Sequence, residues 1–363
     1  MASFLNSPKL LVAIVAVVFL FCLGLAGGAL GNEFGGGFLG SPLPHIQLAA
    51  EPILSTPIIS GLPVFGDVYL TNVMVTTWIV VGLLLLLALL GTRNITEIPG
   101  RFQCLLEAVL ELFLGLAEGV AGPTKGRMFF PLFMTIFLFV VTANWLGVLP
   151  GFGTIGRFEP VSEVVHHAEK KLKGNGDHVD LSSIHLHKFK GDGKFVFMPL
   201  GSIDSVLTAE EAEGYGHGEA KNGERTGLLV PFLRSSNTEI NTTLAIALIA
   251  TIAVHWWGLR TLGIREHVGK FLNFRNGPIM LFVGLLEGIT EFARVLSFTF
   301  RLFGNIFAGE VLLIVIAFLV PLVGLVPFLG LELFVGLIQG FIFSMLTLVF
   351  ATTATIGHGS EGH

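Results

Sequence analysis

Long apolar segments separated by shorter polar stretches dominate the chain. Apolar runs occupy residues 10–30, 72–90, 128–149, 239–262 and 278–356. Each approaches or exceeds the ~18–20 residues with which an α-helix crosses a bilayer, and the last is long enough for two helices. A transmembrane β-barrel would instead show alternating segments of about ten residues. The pattern predicts an all-α polytopic membrane protein with about five to six membrane-embedded helices, the last two forming a long, tilted C-terminal hairpin.

The composition agrees with this class. Of the 363 residues, 52% are hydrophobic and only 13% are charged, and the mean hydropathy is +0.79. A water-soluble domain normally carries about 25% charged residues. The net charge of −5 says little about the class of the protein, because the charges are concentrated in a few loops. Cys22 and Cys104 lie in separate segments, so neither a disulfide framework nor a cysteine metal site is predicted.

The first apolar run has two interpretations. Lys9 precedes it, and Ala26-Gly27-Gly28 resembles a small-residue cleavage site. Residues 1–31 are therefore either a cleaved signal peptide or an extra N-terminal transmembrane helix. In both cases Lys9 places the N-terminus on the cytoplasmic side.

Residues 102–120 differ from the simple spans. Glu107, Glu111 and Glu118 are spaced by four and seven residues, so they share one face of a helix whose other face carries Leu and Val. Three carboxylates are unfavourable in a span. We expect an amphipathic helix at the cytoplasmic interface, the alternative being a buried helix that faces other subunits.

One long hydrophilic insert, residues 151–234, interrupts the apolar pattern. It is Gly-rich, and it carries most of the histidines, namely His166, His167, His178, His185, His187 and His217. The alternation of His185 and His187 is typical of a strand. Histidines can also bind a metal, but no cysteine accompanies them. We expect a small extracytoplasmic subdomain without a metal.

The basic residues after the insert fix the expected orientation. Arg260, Arg265, Lys270 and Arg275 form the most concentrated basic loop, which should be cytoplasmic. The protein then lies in the plasma (inner) membrane with the insert outside and the C-terminus in the cytoplasm. The predicted regions are 1–31, a connector at 32–71, three helices within 72–150, the insert at 151–234, a span with the basic loop at 235–277, and the hairpin with a short tail at 278–363.

A polar stripe runs along the first helix of the hairpin. If residues 278–319 form one helix, six polar side chains lie within about 80° of one another over roughly 27 Å. They are Glu287, Thr290, Arg294, Ser297, Arg301 and Asn305. Glu291 flanks the stripe. One interpretation is a border of a hydrated ion path, and the other is helix packing by interhelical hydrogen bonds of about 0.6 kcal/mol each.

Arg301 favours the ion path. An arginine at the centre of a membrane helix costs about 2.5–3.5 kcal/mol on insertion scales, so it must be paired, hydrated or used. A guanidinium keeps its proton, which suits a fixed gate, whereas Glu310 and Glu332 can gain and lose protons. Glu332 and Gln339 are seven residues apart and share a face, toward which we expect Glu310 to point.

The segment Arg301-Leu-Phe-Gly-Asn-Ile-Phe-Ala-Gly-Glu310 closely resembles the signature of subunit a of the F-type rotary ATP synthase. Further similarities are Leu286-Glu287-Gly288, Gln339 followed by Phe341, Asn144-Trp-Leu-Gly-Val-Leu-Pro150 and Glu239-Ile-Asn-Thr-Thr-Leu244. They cover residues 46–356 apart from the histidine-bearing insert. Some relatives have histidine where Glu332 stands and aspartate where Glu239 stands, and the early apolar run is not part of the common pattern.

This resemblance implies a proton-translocating stator subunit packed against a ring of small proteolipids, each with an essential carboxylate. It implies that Arg301 separates two offset half-channels and that Glu310, Glu332, Gln339 and Asn305 line or border the path. Glu287, Arg294 and Ser297 match further polar positions of the same helix, with Thr290 beside them. Asn144 and Glu239 are candidate access-channel residues. A peripheral-stalk subunit and membrane lipid are the other expected partners.

No enzymatic activity is expected of the chain by itself. It has no Gly-x-x-x-x-Gly-Lys-Ser/Thr loop, so we predict no bound nucleotide, no nucleic acid and no cofactor. The main alternative is a self-contained ion-coupled transporter or channel. Such proteins usually contain two related halves, and the sequence has no second copy of the arginine stripe. A structural membrane-assembly protein is a third class, in which a buried arginine would have no evident purpose.

Overall fold

Seven helices and seven strands lie in the part of the chain that the structure, a computed structural model, describes. The described residues are 8–27, 50–53, 56–62, 66–93, 100–149, 152–153, 155–161, 164, 185–190, 195–197, 206–208, 224–271, 278–320 and 324–356. The helices are α1 (Pro8–Gly27), α2 (Asn72–Thr92), α3 (Arg101–Val148), α4 (Ile240–Leu262), α5 (Ile264–Phe271), α6 (Pro278–Leu319) and α7 (Leu325–Ala354).

Five helices in the described ranges are long and apolar enough to cross a membrane. They are α2, α3, α4, α6 and α7. The chain is therefore an all-α polytopic membrane protein, as its sequence predicts. The bounds of α6 agree with the predicted first helix of the hairpin, and α7 begins at Leu325.

Helix α3 contains a break that separates two predicted elements. The predicted interfacial helix 102–120 and the predicted span 128–149 both lie within α3, on either side of Gly122. Gly122 has φ 78° and ψ 163°, a backbone conformation that is essentially confined to glycine. Before the break, Glu107 and Glu111 are exposed while Phe113 and Ala117 are buried, so this segment is amphipathic as expected.

Helix α4 begins without a side-chain cap. The capping position is Glu239, whose side chain makes no capping bond. A 3-10 turn, Ser236–Thr238, precedes it. The Thr238 hydroxyl donates to the Ser235 carbonyl at 2.8 Å, which turns the chain early enough for the helix to begin at Ile240.

A five-stranded antiparallel sheet occupies the hydrophilic insert, in the order β5-β3-β7-β4-β6. Its strands are β3 (Ile155–Pro160), β4 (His185–Lys190), β5 (Phe195–Phe197), β6 (Val206–Thr208) and β7 (Glu224–Pro231). A separate hairpin joins β1 (Ile59–Leu62) to β2 (Gly66–Val68). The strand predicted at His185 and His187 is confirmed. Within the described ranges no group of three or more His, Cys, Asp or Glu side chains could hold a metal ion.

Several predicted features lie outside the described residues. They are His166, His167, His178, His217, Arg275, residues 1–7 and the tail at 357–363.

The described residues fall into two compact units. The first draws on Met1–Val75, Gly147–Arg234 and Ala308–Glu332, and the second on Thr76–Leu146, Ser235–Phe307 and Leu333–His363. The second unit has an apolar core into which α6 inserts Phe298, Leu302 and Ile306. Phe298 packs on Phe343 of α7 with ring centroids 4.8 Å apart. This inward apolar face determines which way the polar stripe of α6 points.

We predict that Gly122→Ala destabilises the protein. A Cβ atom at this backbone conformation costs about 1–3 kcal/mol. Gly119→Ala is the matched control, since its Cβ would meet no atom within 4 Å and its φ is not positive. Thermal unfolding of the two purified variants in detergent provides the measurement. Equal unfolding temperatures would show that the break does not depend on glycine.

Candidate functional site

The last three residues of the polar stripe lie on the exposed side of α6, next to its buried face. Ser297, Arg301 and Asn305 are exposed, whereas Phe298 and Leu302 are buried. Arg301 donates from Nη2 to the Ser297 hydroxyl one turn earlier, at 3.4 Å. This distance is at the long end for a hydrogen bond. Among the described residues Arg301 forms no ion pair, so no carboxylate in that part of the chain neutralises its charge.

Asn305 connects the stripe to α7. Its Nδ2 donates to Oε1 of Gln339 at 2.8 Å, and Gln339 is only 3% exposed. This bond joins the two helices of the hairpin. The Nε2 of Gln339 is buried and has no hydrogen-bond partner among the described residues. An unpaired buried donor costs about 1–3 kcal/mol, so this amide is suited to a polar group that reaches it from elsewhere.

Arg294 turns away from the rest of the stripe. Its Nη1 contacts both carboxylate oxygens of Glu291, at 2.6 and 2.7 Å, and its guanidinium lies 3.8 Å from the centre of the Phe350 ring. Nε2 of His255 lies 3.7 Å from the same carboxylate. Arg294 is therefore paired within the second unit, in contrast to Arg301.

The other members of the stripe are less constrained. Thr290 is exposed, and its hydroxyl donates to the Leu286 carbonyl of the same helix at 2.9 Å. Glu287 is half-buried. Together with Ser297 they supply polar groups along the exposed side of α6.

Asn144 and Glu239, the candidate access-channel residues, occupy different environments. Asn144 is buried, donates to the Gly336 carbonyl at 3.3 Å, and accepts from Nδ2 of Asn237 at 2.6 Å. These bonds join α3, α7 and the segment before α4. Glu239 is half-buried and accepts a bond from Asn241 at 3.1 Å.

In the first unit, Glu310 forms an ion pair with Arg234. Nε and Nη2 of the arginine approach the carboxylate at 3.1–3.4 Å, and the side chains are 9% and 30% exposed. Sequence analysis left Arg234 at the end of the insert and expected Glu310 to point toward Glu332 and Gln339. A signal was present, because Arg234 is a lone charge five residues before a spanning segment. Its partner, 76 positions away, could not be inferred from the periodicity of either segment.

Glu332 is also buried in the first unit, with 7% of its surface exposed. Its carboxylate lies directly against Gly309, where a side chain would collide with it. Glycine at this position of α6 therefore makes room for an acid on α7.

Comparisons with known proteins agree with the motif around Arg301. Residues 74–352 match the family described as ATP synthase A chain. ATP synthase subunit a of Gloeobacter violaceus is 31% identical over 285 residues, which cover 78% of this chain and 84% of that protein. This chain belongs to the ATP synthase A chain family. It is a multi-pass membrane subunit in the membrane sector of the F-type ATP synthase, with a role in proton transport and ATP synthesis. This membership favours the first functional hypothesis over a self-contained transporter.

We predict that Arg234→Met lowers the free energy of unfolding by about 2 kcal/mol. Removing one partner of a fully buried pair costs about 3–5 kcal/mol, and the loss is smaller here because Glu310 is 30% exposed. The double variant Arg234→Met/Glu310→Gln should recover part of the loss, because no carboxylate is left without its cation.

Thermal unfolding of the purified variants gives this double-mutant cycle. The pair of Arg127 and Glu118, 2.6 Å apart, is the matched control, because its arginine is 71% exposed whereas Arg234 is 9% exposed, and its removal should have a much smaller effect. Strictly additive losses at Arg234 and Glu310 would contradict a coupled pair.

Proposed function

We propose that this chain is the proton-translocating stator subunit of its ATP synthase and faces a rotating ring of small proteolipid subunits. The observation that carries the proposal is Arg301, a permanent positive charge on the exposed side of α6 without an ion pair among the described residues. A carboxylate on a ring subunit is the partner that such a charge would attract. The nearby Asn305–Gln339 pair supplies polar groups one turn further along α6.

The charge on Arg301 would act as a gate. A guanidinium favours the ionised form of a carboxylate that approaches it, but it does not release its own proton. Protons could then enter and leave the ring on either side of Arg301 without passing directly between the two half-channels. Each proton must travel with the ring, and a potential of 100 mV supplies about 2.3 kcal/mol per charge for that movement.

Two groups of polar residues lie on opposite sides of Arg301 along the sequence of α6. Glu287 and Thr290 precede it, and we assign them to the cytoplasmic half-channel. Glu310 follows it, and we assign Glu310 and Glu332 to the outer half-channel. The ion pair with Arg234 supports this assignment of Glu310, because it holds the carboxylate beside the end of the insert, which the proposed orientation places outside. Asn144 and Glu239 are proposed to border the outer access route.

The proposed orientation follows from the basic loop that contains Arg260 and Arg265. It places the insert outside the plasma membrane and the C-terminus in the cytoplasm. A peripheral-stalk subunit is the second proposed protein partner, and lipid covers the remaining apolar surface. Catalysis of ATP synthesis is assigned to other subunits of the complex.

We predict that Arg301→Ala abolishes ATP-driven proton pumping in inverted membrane vesicles, a loss of about a hundredfold or more. The physical reason is that a neutral side chain neither attracts the ring carboxylate nor blocks passage between half-channels. Passive proton leak, recorded in the same vesicles, should rise.

Arg93→Ala is the matched control, since Arg93 is an exposed arginine just after α2. Isolation of the intact complex with its proteolipid ring verifies assembly of both variants. Near-normal pumping by assembled Arg301→Ala would overturn the gate assignment and leave the carboxylates as the basis of the mechanism.

A further inference from the structure

A second group of ionisable side chains lies in the same unit as Arg301 but belongs to a different set of contacts. Its members are Glu291 on α6, His255 on α4 and His267 on α5, which we call the relay cluster. Sequence analysis singled out Glu291 only as a flank of the stripe. The function proposed above uses none of the three.

His255 occupies the middle of the relay cluster and uses both ring nitrogens. Its Nδ1 lies 3.2 Å from Nε2 of His267, and the two rings are nearly perpendicular, at 72°. Its Nε2 lies 3.7 Å from Oε2 of Glu291. An imidazole can accept a proton at one nitrogen and release another from the opposite nitrogen. The separation from Glu291 exceeds hydrogen-bond distance by a few tenths of an ångström, which small side-chain motions can close.

His267 is held in a defined position at the corner between α4 and α5. It is buried, and its ring fits against Gly258 of α4, where a side chain would collide with the imidazole. The neighbouring surface contains the end of α7, since the Ala354 carbonyl approaches the same glycine. This close fit holds the imidazole of His267 in place, facing His255.

A small cavity adjoins the other end of the cluster. It has a volume of about 10 Å³, and it is lined by Glu291 and Arg294 together with Thr251, Thr347 and apolar side chains. This is about the space that one water molecule needs, and the site offers several hydrogen-bonding groups. A water molecule there would lie between Glu291, the hydroxyls of Thr251 and Thr347, and Arg294, which is the member of the polar stripe that lines the cavity.

The charged groups around the cluster come from α3, α5 and α6. Glu291 is the acid that faces His255, and Arg294 of the same helix neutralises its charge. Lys125 of α3 lies at the end of α7, where it donates to the Thr355 carbonyl at 3.1 Å. Arg265 and Glu266 of α5 are exposed, and their charges are opposite to each other.

We propose that Glu291, His255 and His267 form a proton-transfer branch that joins the polar stripe of α6 to the corner between α4 and α5. In each step the Glu291 carboxylate takes up a proton from the side of the cavity and passes it to Nε2 of His255, while the proton on Nδ1 of His255 passes to Nε2 of His267. His267 releases its own Nδ1 proton at the corner between α4 and α5, and exchange of the ring positions then restores both histidines. Glu291 precedes Arg301 by ten residues, about 15 Å along the helix, so the branch serves the cytoplasmic side in the proposed orientation.

This inference rests on the proposed function, and its test is the pair of variants His255→Gln and His267→Gln in the full complex. Glutamine retains hydrogen bonds but cannot relay a proton. We expect the initial rate of ATP-driven pumping in inverted vesicles to fall about tenfold in either variant, with the complex assembled. His185→Gln, on strand β4 of the insert, is the matched control and should pump at the parent rate.

A second measurement separates proton transfer from a structural role. ATP hydrolysis is recorded in uncoupled membranes with and without added imidazole, which is a diffusible proton carrier. Restoration of turnover in His255→Gln by imidazole supports the branch. Parent-like pumping by both assembled histidine variants, or a slow rate that imidazole leaves unchanged, overturns it.

Glu291→Asp provides a test that does not depend on the folding of the histidine variants. Aspartate keeps the negative charge beside Arg294 but withdraws the carboxylate from His255, so a transfer branch predicts slower pumping and a packing role predicts the parent rate. Arg301→Ala, run in parallel, distinguishes the two proposals. If Arg301→Ala loses pumping while the variants of Glu291, His255 and His267 pump at the parent rate, the stator function stands and only the proton-transfer branch is overturned.

Discussion

The desolvation of charge is the physical constraint on which the rest of this structure depends. A guanidinium within an apolar helix is costly unless something compensates it, and α6 carries two, Arg294 and Arg301. The helix compensates them differently. Arg294 is paired with Glu291 and covered by Phe350, whereas Arg301 remains on the exposed side with a single long bond to Ser297. The inward packing of Phe298 and Leu302 makes this difference possible, because it fixes the rotation of α6 about its axis.

The same contrast distinguishes polar side chains whose hydrogen bonds hold helices together from polar side chains that keep a hydrogen-bonding group available for a partner. Asn144 bonds to two neighbours, and its amide holds helices together. Gln339 uses one end of its amide on Asn305 and leaves the other buried end without a partner among the described residues. A polar group that is ordered but incompletely bonded is suited to a changing partner, since it costs little to reorganise when the partner arrives.

The sequence predicted those structural features that depend on the residues of a single segment. The length of α6 followed from an uninterrupted apolar run, and its polar stripe followed from the helical period. The ion pair between Arg234 and Glu310 did not, because it joins residues 76 positions apart and no local pattern records such a partner. The sheet of the insert was also largely missed. Two of its strands, β5 and β6, have only three residues each, and Gly-containing stretches separate the strands, so only His185 and His187 showed an alternation.

The connection between β7 and Arg234 has a consequence for how the insert can vary. Arg234 follows Pro231 by three positions, and Pro231 is the last residue of a strand that is hydrogen-bonded to both β3 and β4. A slip of one residue in β7 would move the chain by about 3.3 Å, more than an ion pair of this geometry tolerates. The position of β7 in the sheet therefore fixes how far Arg234 can extend toward Glu310. Changes in length are compatible with the ion pair in the stretches between strands, but not between β7 and the membrane.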